Sequence, residues 1–193
     1  MDNTLESLDK DLLVKINSLN SEFLDKLMWQ LSEIYIVLPF ALLLVYFYYK
    51  RYQVKNTASL LLCIAIVIAC TDLSSNLVKR SVKRLRPTHN VEIKDKLHIV
   101  NNYRGGKYGF FSSHAANTVG VTTFLFLAAS WVRRRLRFLF FSIPLLIIYS
   151  RMYLGAHYPS DVLVGCIDGV IFGYLVFIIF RKHFFKSPLI SND

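Results

Sequence analysis

The sequence is poor in the residues that build disulfide frameworks, metal centres and flexible linkers. Its 193 residues include 3 cysteines, 5 prolines, 8 glycines and 13 acidic side chains. Cys63, Cys70 and Cys166 all lie inside apolar segments, where cysteine serves as a small packing residue, so we expect neither disulfides nor a cysteine-bound metal. The chain also lacks internal repeats and low-complexity tracts, which favours a single domain over residues 1–193.

The start of the chain lacks the features of a cleaved signal peptide. It is acidic, and no basic stretch leads into a short apolar run. Apolar residues recur there at helical spacing between polar ones, namely Leu5, Leu8, Leu12, Ile16 and Leu19. This pattern predicts an amphipathic helix over residues 1–26 that lies along the membrane interface, so that the first spanning helix targets the protein.

Long apolar stretches are what the sequence has in abundance. Hydrophobic residues make up 54% of the chain, and the mean hydropathy is +0.39. A bilayer core needs roughly 20 apolar residues per helix. Five stretches reach or approach that length, at 27–49, 57–78, 114–132, 138–153 and 162–180. We therefore predict an all-α polytopic membrane protein whose helix bundle covers residues 27–180.

The positive charge of the chain lies in loops. The net charge is +10, which in a membrane protein reflects loops rather than a nucleic-acid surface, so no nucleic-acid partner is expected. Basic clusters follow the first, third and fifth stretches, at Lys50, Arg51 and Lys55, at Arg133, Arg134, Arg135 and Arg137, and at Arg181, Lys182 and Lys186. By the positive-inside rule this face and the C-terminus are cytoplasmic. The 79–107 segment, also rich in lysine and arginine, would then face outside.

Polar residues extend the second apolar stretch. They fall on one face of a continuous helix, at Asp72, Ser75, Asn76, Lys79, Lys83 and Arg86. Pro87 disfavours helical backbone at the preceding residue, so we expect this helix to stop at Arg86. Such a stripe points into the bundle or into a wet cavity, although Lys79 or Arg80 alone would equally fit a snorkelling helix end.

Two further polar elements flank the later stretches. FFSSHAAN, residues 110–117, opens the third; its serines suit an N-cap, and the helix N-terminus beside His114 can receive an anion. SRMYLGAHYPSD, residues 150–161, joins the fourth to the fifth and carries Arg151, His157 and Asp161. A carboxylate beside a histidine fixes its tautomer and makes it a better nucleophile or base. If all five stretches span, the three polar elements share one membrane face, where they suit a transferred phosphate.

These elements resemble the signature of the type-2 phosphatidic acid phosphatase superfamily, which includes the vanadium haloperoxidases and glucose-6-phosphatase. The pattern is Lys-x6-Arg-Pro at 79–87, Ser-x-His at 112–114 and Ser-Arg-x5-His-x3-Asp at 150–161. The middle motif departs from the usual Pro-Ser-Gly-His, since Phe111 replaces the proline and Ser113 the glycine. A serine keeps the backbone N–H that the glycine offers to phosphate. The departure therefore concerns loop geometry and substrate preference rather than the chemistry.

The resemblance implies a role for each matching residue. His157 attacks phosphorus and forms a phosphohistidine, Asp161 orients it, and His114 protonates the leaving oxygen and then activates water. The phosphoryl oxygens are held by Lys79, Arg86, Ser112, the Ser113 N–H and Arg151. No metal or other cofactor is expected, because lysine and arginine supply the positive charge.

The function predicted from this resemblance is an integral lipid phosphatase of a bacterial cytoplasmic membrane, with its site facing the periplasm. Its substrate would be an envelope lipid, either lipid A at the 1- or 4′-phosphate or undecaprenyl diphosphate. Phosphatidylglycerophosphate or phosphatidate hydrolysis, lipid-to-lipid phosphotransfer and non-enzymatic anion binding remain as alternatives. No obligatory protein partner is expected.

Three further features carry expectations of their own. The active-site loop covers residues 87–113, and its Arg104 and Lys107 are expected to contact a lipid headgroup, although residues 88–109 would equally fit an ordinary connector. Asp72 and Asp168 interrupt apolar helices, where we expect bundle-internal hydrogen bonds to Ser, Thr or Asn, with a direct catalytic role as the alternative. Glycines recur every fourth residue on the fifth stretch, at Gly165, Gly169 and Gly173. They predict close helix packing within the chain.

Overall fold

The computed structural model describes residues 4–33 and 38–184. The predicted all-α class is confirmed, with an isolated bridge between Leu85 and Tyr108 as the β-type pairing in this part. The helices are α1 (Thr4–Asn17), α2 (Glu22–Leu31), α3 (Leu38–Val82), α4 (Ser113–Ala128), α5 (Arg134–Arg137), α6 (Ser142–Tyr153) and α7 (Pro159–His183). Predictions for residues 1–3, 34–37 and Lys186 fall outside the described residues.

Three helical stretches are long and apolar enough to cross a membrane, namely Leu38–Val82, Arg134–Tyr153 and Pro159–His183. The chain is therefore a membrane protein by these helices, while the number of five spans stays a prediction. Helix α4 has 16 residues, fewer than the roughly 20 of a typical span. It packs against α3, α6 and α7, which makes it the central helix of the bundle.

Helix α3 contains both the first and the second predicted spans. Its backbone is broken at Gln53, where φ is 65° and ψ is −179°, a conformation that residues other than glycine rarely adopt. Tyr48 shares a buried cluster with Leu60 and Cys63, although a straight helix would place Tyr48 about 22 Å from Cys63. The chain therefore turns sharply at Gln53, and α3 consists of two packed arms.

The predicted N-terminal boundaries were wrong. The interfacial helix is two helices, because the chain leaves the helix after Asn17 and restarts at Ser21, whose side chain caps α2 by accepting from the Leu24 N–H. The first span does not begin at residue 27, since α2 runs on to Leu31 and α3 begins at Leu38. The interfacial position of the N-terminal segment stays a prediction.

Other helix limits shifted by a few residues. Helix α4 ends at Ala128 rather than at residue 132. Helix α6 begins at Ser142 rather than at 138, because Phe138–Phe141 form a 3-10 turn. Helix α7 begins earlier than predicted, at Pro159, since proline suits the first turn and the Asp161 carboxylate accepts from the Tyr158 N–H.

The glycines of α7 pack directly on the backbone of α4, as predicted. A Cβ atom at Gly165 would lie 2.6 Å from the Ser112 carbonyl oxygen, and one at Gly169 would lie 2.5 Å from that of Ala116. Gly173 meets the Gly120 carbonyl in the same way. This glycine face leaves no room for side chains between α4 and α7, so the N-termini of the two helices are held at matching heights.

The N-terminal helices cover the loop that follows α3. Leu13 of α1 packs with Leu97 and Tyr158. The Asn17 amide donates to the carbonyl oxygens of His98, at 2.9 Å, and Tyr153, at 2.7 Å. These contacts place α1 over the turn between α6 and α7, on the side of the bundle where the three polar elements lie.

Candidate active site

The three polar elements predicted from the sequence meet at one end of the bundle, which we call the site end. They lie at the end of α3, at the start of α4 and in the turn from α6 to α7. The Ser112 N–H donates to the Asp161 carbonyl oxygen at 3.0 Å, and the Lys79 ammonium donates to the Ser113 hydroxyl. Residues separated by up to 82 positions thus form one polar cluster.

His157, in the turn before α7, and Asp161, in the first turn of α7, lie four residues apart in this cluster. His157 is 1% exposed and Asp161 is 0% exposed, and His157 Nδ1 lies 3.6 Å from Asp161 Oδ2. That separation is longer than a hydrogen bond, and in the described part of the chain His157 Nδ1 has no hydrogen-bond partner. Such contacts often tighten only when a substrate is bound. The arrangement leaves Nε2 directed away from Asp161.

Burial lowers the pKa of His157 to about 4, with further lowering from the nearby Arg86 and Arg151 and an opposing effect of Asp161. The imidazole is therefore neutral at neutral pH. A neutral imidazole has a free lone pair on one nitrogen, which is what a nucleophile or a base requires.

His114 lies at the second position of α4, with its side chain exposed. Its electrostatic neighbours are His157, Lys79, Arg86 and Arg151. Ser112 before it is fully buried and caps α4, since its hydroxyl accepts from the Ala115 N–H at 3.4 Å. The free N–H groups of the first turn of α4 add partial positive charge there.

Three cations surround the cluster. Lys79 lies in the last turn of α3, and Arg151, which is 4% exposed, lies in the last turn of α6. Arg86 donates through Nε to the Tyr108 carbonyl oxygen at 3.2 Å. Among the described residues none of the three forms an ion pair with a carboxylate. Their charge is available to a ligand.

The predicted polar stripe on one continuous helix was wrong beyond Val82. Helix α3 ends there because Lys83 adopts a positive φ of 52°, so Pro87 marks the stop only to within a few residues. Arg86 reaches the site from a loop whose course is set by a bond from its N–H to the Lys107 carbonyl oxygen, 3.0 Å long. Asn76 and Lys83 have exposed side chains.

The intramembrane acids are hydrogen bonded within the bundle, as predicted. The Asn117 amide donates to Asp72 Oδ1 at 2.9 Å, and the Ser74 hydroxyl donates to Asp168 Oδ2 at 3.1 Å. Both bonds join neighbouring helices below the polar cluster. Their geometry supports a structural role.

Tyr103 is a site residue that the sequence did not identify. Its hydroxyl accepts from Arg151 at 2.6 Å and from Arg86 at 3.5 Å. Burial raises the pKa of Tyr103, but the two guanidinium groups outweigh it, and the pKa lies below its ordinary value. The tyrosine thus occupies the place where two arginines would hold an anion. An aromatic residue in a polar, glycine-bearing loop was the signal available.

Arg84 and Asp9 were also missed. Arg84 donates to Asp161 Oδ1 at 2.7 Å and to Asp9 Oδ2 at 2.5 Å. Arg84 lies inside the first motif, between Lys79 and Arg86, where the basic run hid it. No sequence signal connects Asp9 to a residue 152 positions later.

The two residues expected to contact a headgroup lie on the outer surface of the loop. Arg104 is exposed, and its guanidinium donates to the Thr88 carbonyl oxygen at 3.4 Å. Lys107 is exposed, with its ammonium 5.7 Å from the centre of the Tyr108 ring. Within the described residues, His, Cys, Asp and Glu do not gather in groups of three that could hold a metal ion.

Comparison with known proteins identifies the fold and its relatives. The model of the PAP2 superfamily matches residues 56–185. The chain is 33% identical over 180 residues to a lipid A 4′-phosphatase of Bacteroides thetaiotaomicron, covering 92% of this chain and 79% of that protein. It is 28% identical over 171 residues to a lipid A 4′-phosphatase of Porphyromonas gingivalis, covering 88% and 72%.

A solved structure shares the architecture. The crystal structure of a transmembrane PAP2 type phosphatidylglycerolphosphate phosphatase from Bacillus subtilis superposes with a TM-score of 0.71, covering 96% of this chain and 90% of that one. Because the identity is 18%, this likeness concerns the fold.

Proposed function

Because the chain belongs to the PAP2 superfamily and is a membrane lipid phosphatase, we propose that it removes the 4′-phosphate of lipid A through a phosphohistidine. The relatives that match along nearly the whole chain are lipid A 4′-phosphatases. We further propose that the protein lies in a bacterial cytoplasmic membrane as a five-span bundle, with its site facing the periplasm and its C-terminus in the cytoplasm.

The single observation that carries the chemistry is the setting of His157. Its buried, neutral imidazole has Nδ1 facing Asp161 Oδ2 at 3.6 Å. Around it stand three cations that have no carboxylate partner within residues 4–33 and 38–184. In the first step Nε2 attacks phosphorus, an N–P bond forms and the P–O bond to the lipid breaks. His114 takes up a proton when the negatively charged phosphate binds beside it, and it gives this proton to the leaving lipid oxygen.

The second step returns the enzyme to its starting state. His114, now neutral, takes a proton from a water molecule, whose oxygen attacks phosphorus and breaks the N–P bond. Asp161 stabilises the positive charge that develops on His157 in both steps. Lys79, Arg86, Arg151, the Ser112 hydroxyl and the Ser113 N–H balance the charge on the phosphoryl oxygens, which are the groups whose charge changes most.

The substituted middle motif fits this scheme. The Ser113 hydroxyl is held by Lys79 and lies 2.9 Å from the Ser75 hydroxyl. Its side chain is therefore directed along α3, away from the free N–H of its own backbone. We propose that the Ser113 hydroxyl positions the Lys79 ammonium and leaves the Ser113 N–H available to bind an anion.

The test is a panel assay of the purified protein in detergent. The substrates are lipid A phosphorylated at the 1-position, at the 4′-position or at both, undecaprenyl diphosphate, phosphatidylglycerophosphate and phosphatidate. We expect free phosphate and loss of the 4′-phosphate by mass spectrometry. Preference for another lipid would reassign the substrate, and labelled phosphate on a lipid acceptor would show a phosphotransferase.

His157→Ala tests the mechanism in the same assay. Loss of a nucleophile that works with its neighbours as one unit should lower turnover by about 10⁴-fold or more. His183→Ala is the matched control, because His183 is exposed at the far end of α7. Turnover that survives His157→Ala unchanged would remove the phosphohistidine. A reporter fused after the last residue, if active in the cytoplasm, would support the orientation.

A further inference from the structure

Arg84 makes the shortest side-chain contact to the Asp161 carboxylate. The distance from Nη1 to Oδ1 is 2.7 Å, whereas the Tyr158 N–H donates to Oδ2 at 3.0 Å and His157 Nδ1 lies 3.6 Å from Oδ2. The Arg84 guanidinium also lies 4.1 Å over the centre of the Tyr158 ring. Arg84 thus donates to Oδ1, the Asp161 oxygen that does not face His157.

Asp9 of α1 fixes the other side of Arg84. It accepts from Arg84 Nη2 at 2.5 Å, from the Ser160 N–H at 2.9 Å and from the Ser160 hydroxyl at 2.5 Å. Arg84 Nη1 donates to the Ser160 hydroxyl as well, at 2.7 Å. Asp9 is 8% exposed, so these bonds are shielded from water. The guanidinium is bonded on both sides and cannot turn toward a phosphate.

We propose that Arg84, anchored by Asp9, is a positioning residue that keeps the Asp161 carboxylate turned with Oδ2 toward His157. The inference rests on the proposed function and adds a role for two residues that are not among the fixed positions of the family motifs. It divides the cations of the site end into two kinds. Lys79, Arg86 and Arg151 bind the phosphate, while Arg84 orients Asp161, the carboxylate that faces the nucleophile His157.

The physical reason lies in the burial of Asp161. Without Arg84, Oδ1 would be buried without a donor, which is costly, and the carboxylate would relieve this by rotating Oδ2 away from His157. A carboxylate turned in this way no longer holds the proton on His157 Nδ1, so the lone pair needed on Nε2 is no longer kept in place.

Removing Arg84 should raise the pKa of His157. The other charged and titratable groups around His157 and Asp161 are Arg86, Arg151, His114, Lys79 and Tyr158, with Asp9 joined to them through Arg84. Loss of one cation beside the carboxylates of Asp161 and Asp9 favours the charged imidazolium of His157. The variant should therefore lose activity on acidification at a higher pH than the wild type.

The experiment compares Arg84→Met, Arg84→Lys and Asp9→Asn by phosphate release from a lipid A 4′-phosphate in micelles, across pH 4–8. For Arg84→Met we expect kcat to fall by about 10- to 100-fold with KM within about twofold, as for groups that orient a catalytic side chain. The acid limb of the pH profile should move up by about one unit or more. Arg84→Lys should restore the profile and part of kcat, and Asp9→Asn should fall between.

Arg80→Met is the matched control, because it also removes one guanidinium, from an exposed position in the last turn of α3. We expect it to keep wild-type kcat and pH dependence. If Arg84→Met keeps the wild-type pH profile, or raises KM while kcat holds, Arg84 is not a positioning residue. In the second case it binds phosphate itself.

A second readout separates this proposal from the proposed function. Histidine ¹⁵N NMR follows the titration of His157 in the protein without substrate, where its wild-type pKa is about 4. We expect this pKa to rise in Arg84→Met and to return in Arg84→Lys. A wild type that releases no phosphate would refute the proposed function alone, and an unmoved His157 titration would refute the role of Arg84 alone.

Discussion

The two ends of the bundle are held together by different forces. At the site end, α1, the loop after α3 and α7 are joined by ion pairs and hydrogen bonds centred on Asp161 and Arg84, and the Ser112 N–H before α4 donates to the Asp161 carbonyl oxygen. At the other end, which we call the aromatic end, Tyr48, Phe124 and Phe180 are buried in one cluster with Trp131 packed on it. Within the part of the chain that the structure describes, the Tyr48 hydroxyl has no hydrogen-bond partner.

This difference teaches what each kind of contact contributes. Hydrogen bonds and ion pairs are directional, so they fix the angle at which a side chain presents its reactive atom. Apolar packing is not directional, and in a membrane it holds helices at a set distance through dispersion contacts. Substitutions at the site end should therefore change catalysis, and substitutions at the aromatic end should change stability.

The largest effect is expected for Asp161→Asn at the site end. The amide keeps the shape of the carboxylate but cannot stabilise an imidazolium, so kcat should fall by about 10³- to 10⁴-fold. Thermal unfolding should change much less, because Arg84 keeps Asp9 as its partner. Turnover and unfolding of the purified variant check both parts. A variant that loses stability and activity in proportion would contradict the comparison.

At the aromatic end the matching change is Phe124→Ala. Phe124 is 0% exposed and meets Phe180 edge to face, with ring centres 5.4 Å apart. We expect a loss of about 3 kcal/mol of stability, at the low end for buried phenylalanine because the unfolded chain keeps its side chains in lipid. KM and kcat per folded molecule should stay near wild type. Phe23→Ala, at a 73% exposed position, is the control, and it should change neither the stability nor the turnover.

A smaller loss of stability is expected at the glycine face between α4 and α7, which connects the site end to the aromatic end. Gly169→Ala places a methyl group against the Ala116 carbonyl oxygen, and overpacking of this kind costs about 1–3 kcal/mol. It should also slow turnover, since His114 and His157 stand at the ends of the two helices that separate. Gly106→Ala meets no atom within 4 Å and should leave both unfolding temperature and turnover unchanged.

The smallest effect is expected for Tyr103→Phe. A substrate phosphate must replace the Tyr103 hydroxyl as the acceptor for Arg151, so its removal should strengthen inhibition by inorganic phosphate by about fivefold, or about 1 kcal/mol. Inhibition constants measured for both proteins decide the point. Weaker inhibition would mean that the hydroxyl contacts the phosphate rather than competing with it.

The residues that sequence motifs correctly brought into the polar cluster are those at fixed spacing. Lys79, His114 and His157 are ionisable side chains that stand out among apolar helices, and short-range rules place them at or beside helix ends. Arg84 was hidden because lysines and arginines surround it, and its role depends on which carboxylate it meets. The orientation of Arg84 toward Asp161 depends on Asp9, which reaches Arg84 only because α1 packs on the site end. No local sequence pattern encodes that packing.

The helix boundaries show the same limit. The polar run around Gln53 predicted an interruption between two spans, but the sharp turn within one helical element depends on Tyr48 packing beside Cys63. Asn17 ends α1 because its side chain bonds to the distant Tyr153 carbonyl oxygen. In each case periodicity indicated that a helix exists, and a contact distant in sequence decided where it stops.

The glycine face between α4 and α7 separates the catalytic geometry from the surrounding lipid. A slip of one residue along a helix moves a side chain by about 1.5 Å and turns it by about 100°, and backbone-to-backbone contact forbids such a slip. The opposite surface of α7, with Leu163, Ile167 and Ile171 exposed, takes no part in that register. Apolar substitutions there could adapt the protein to a thicker or thinner bilayer, or to a detergent, without retuning the active site.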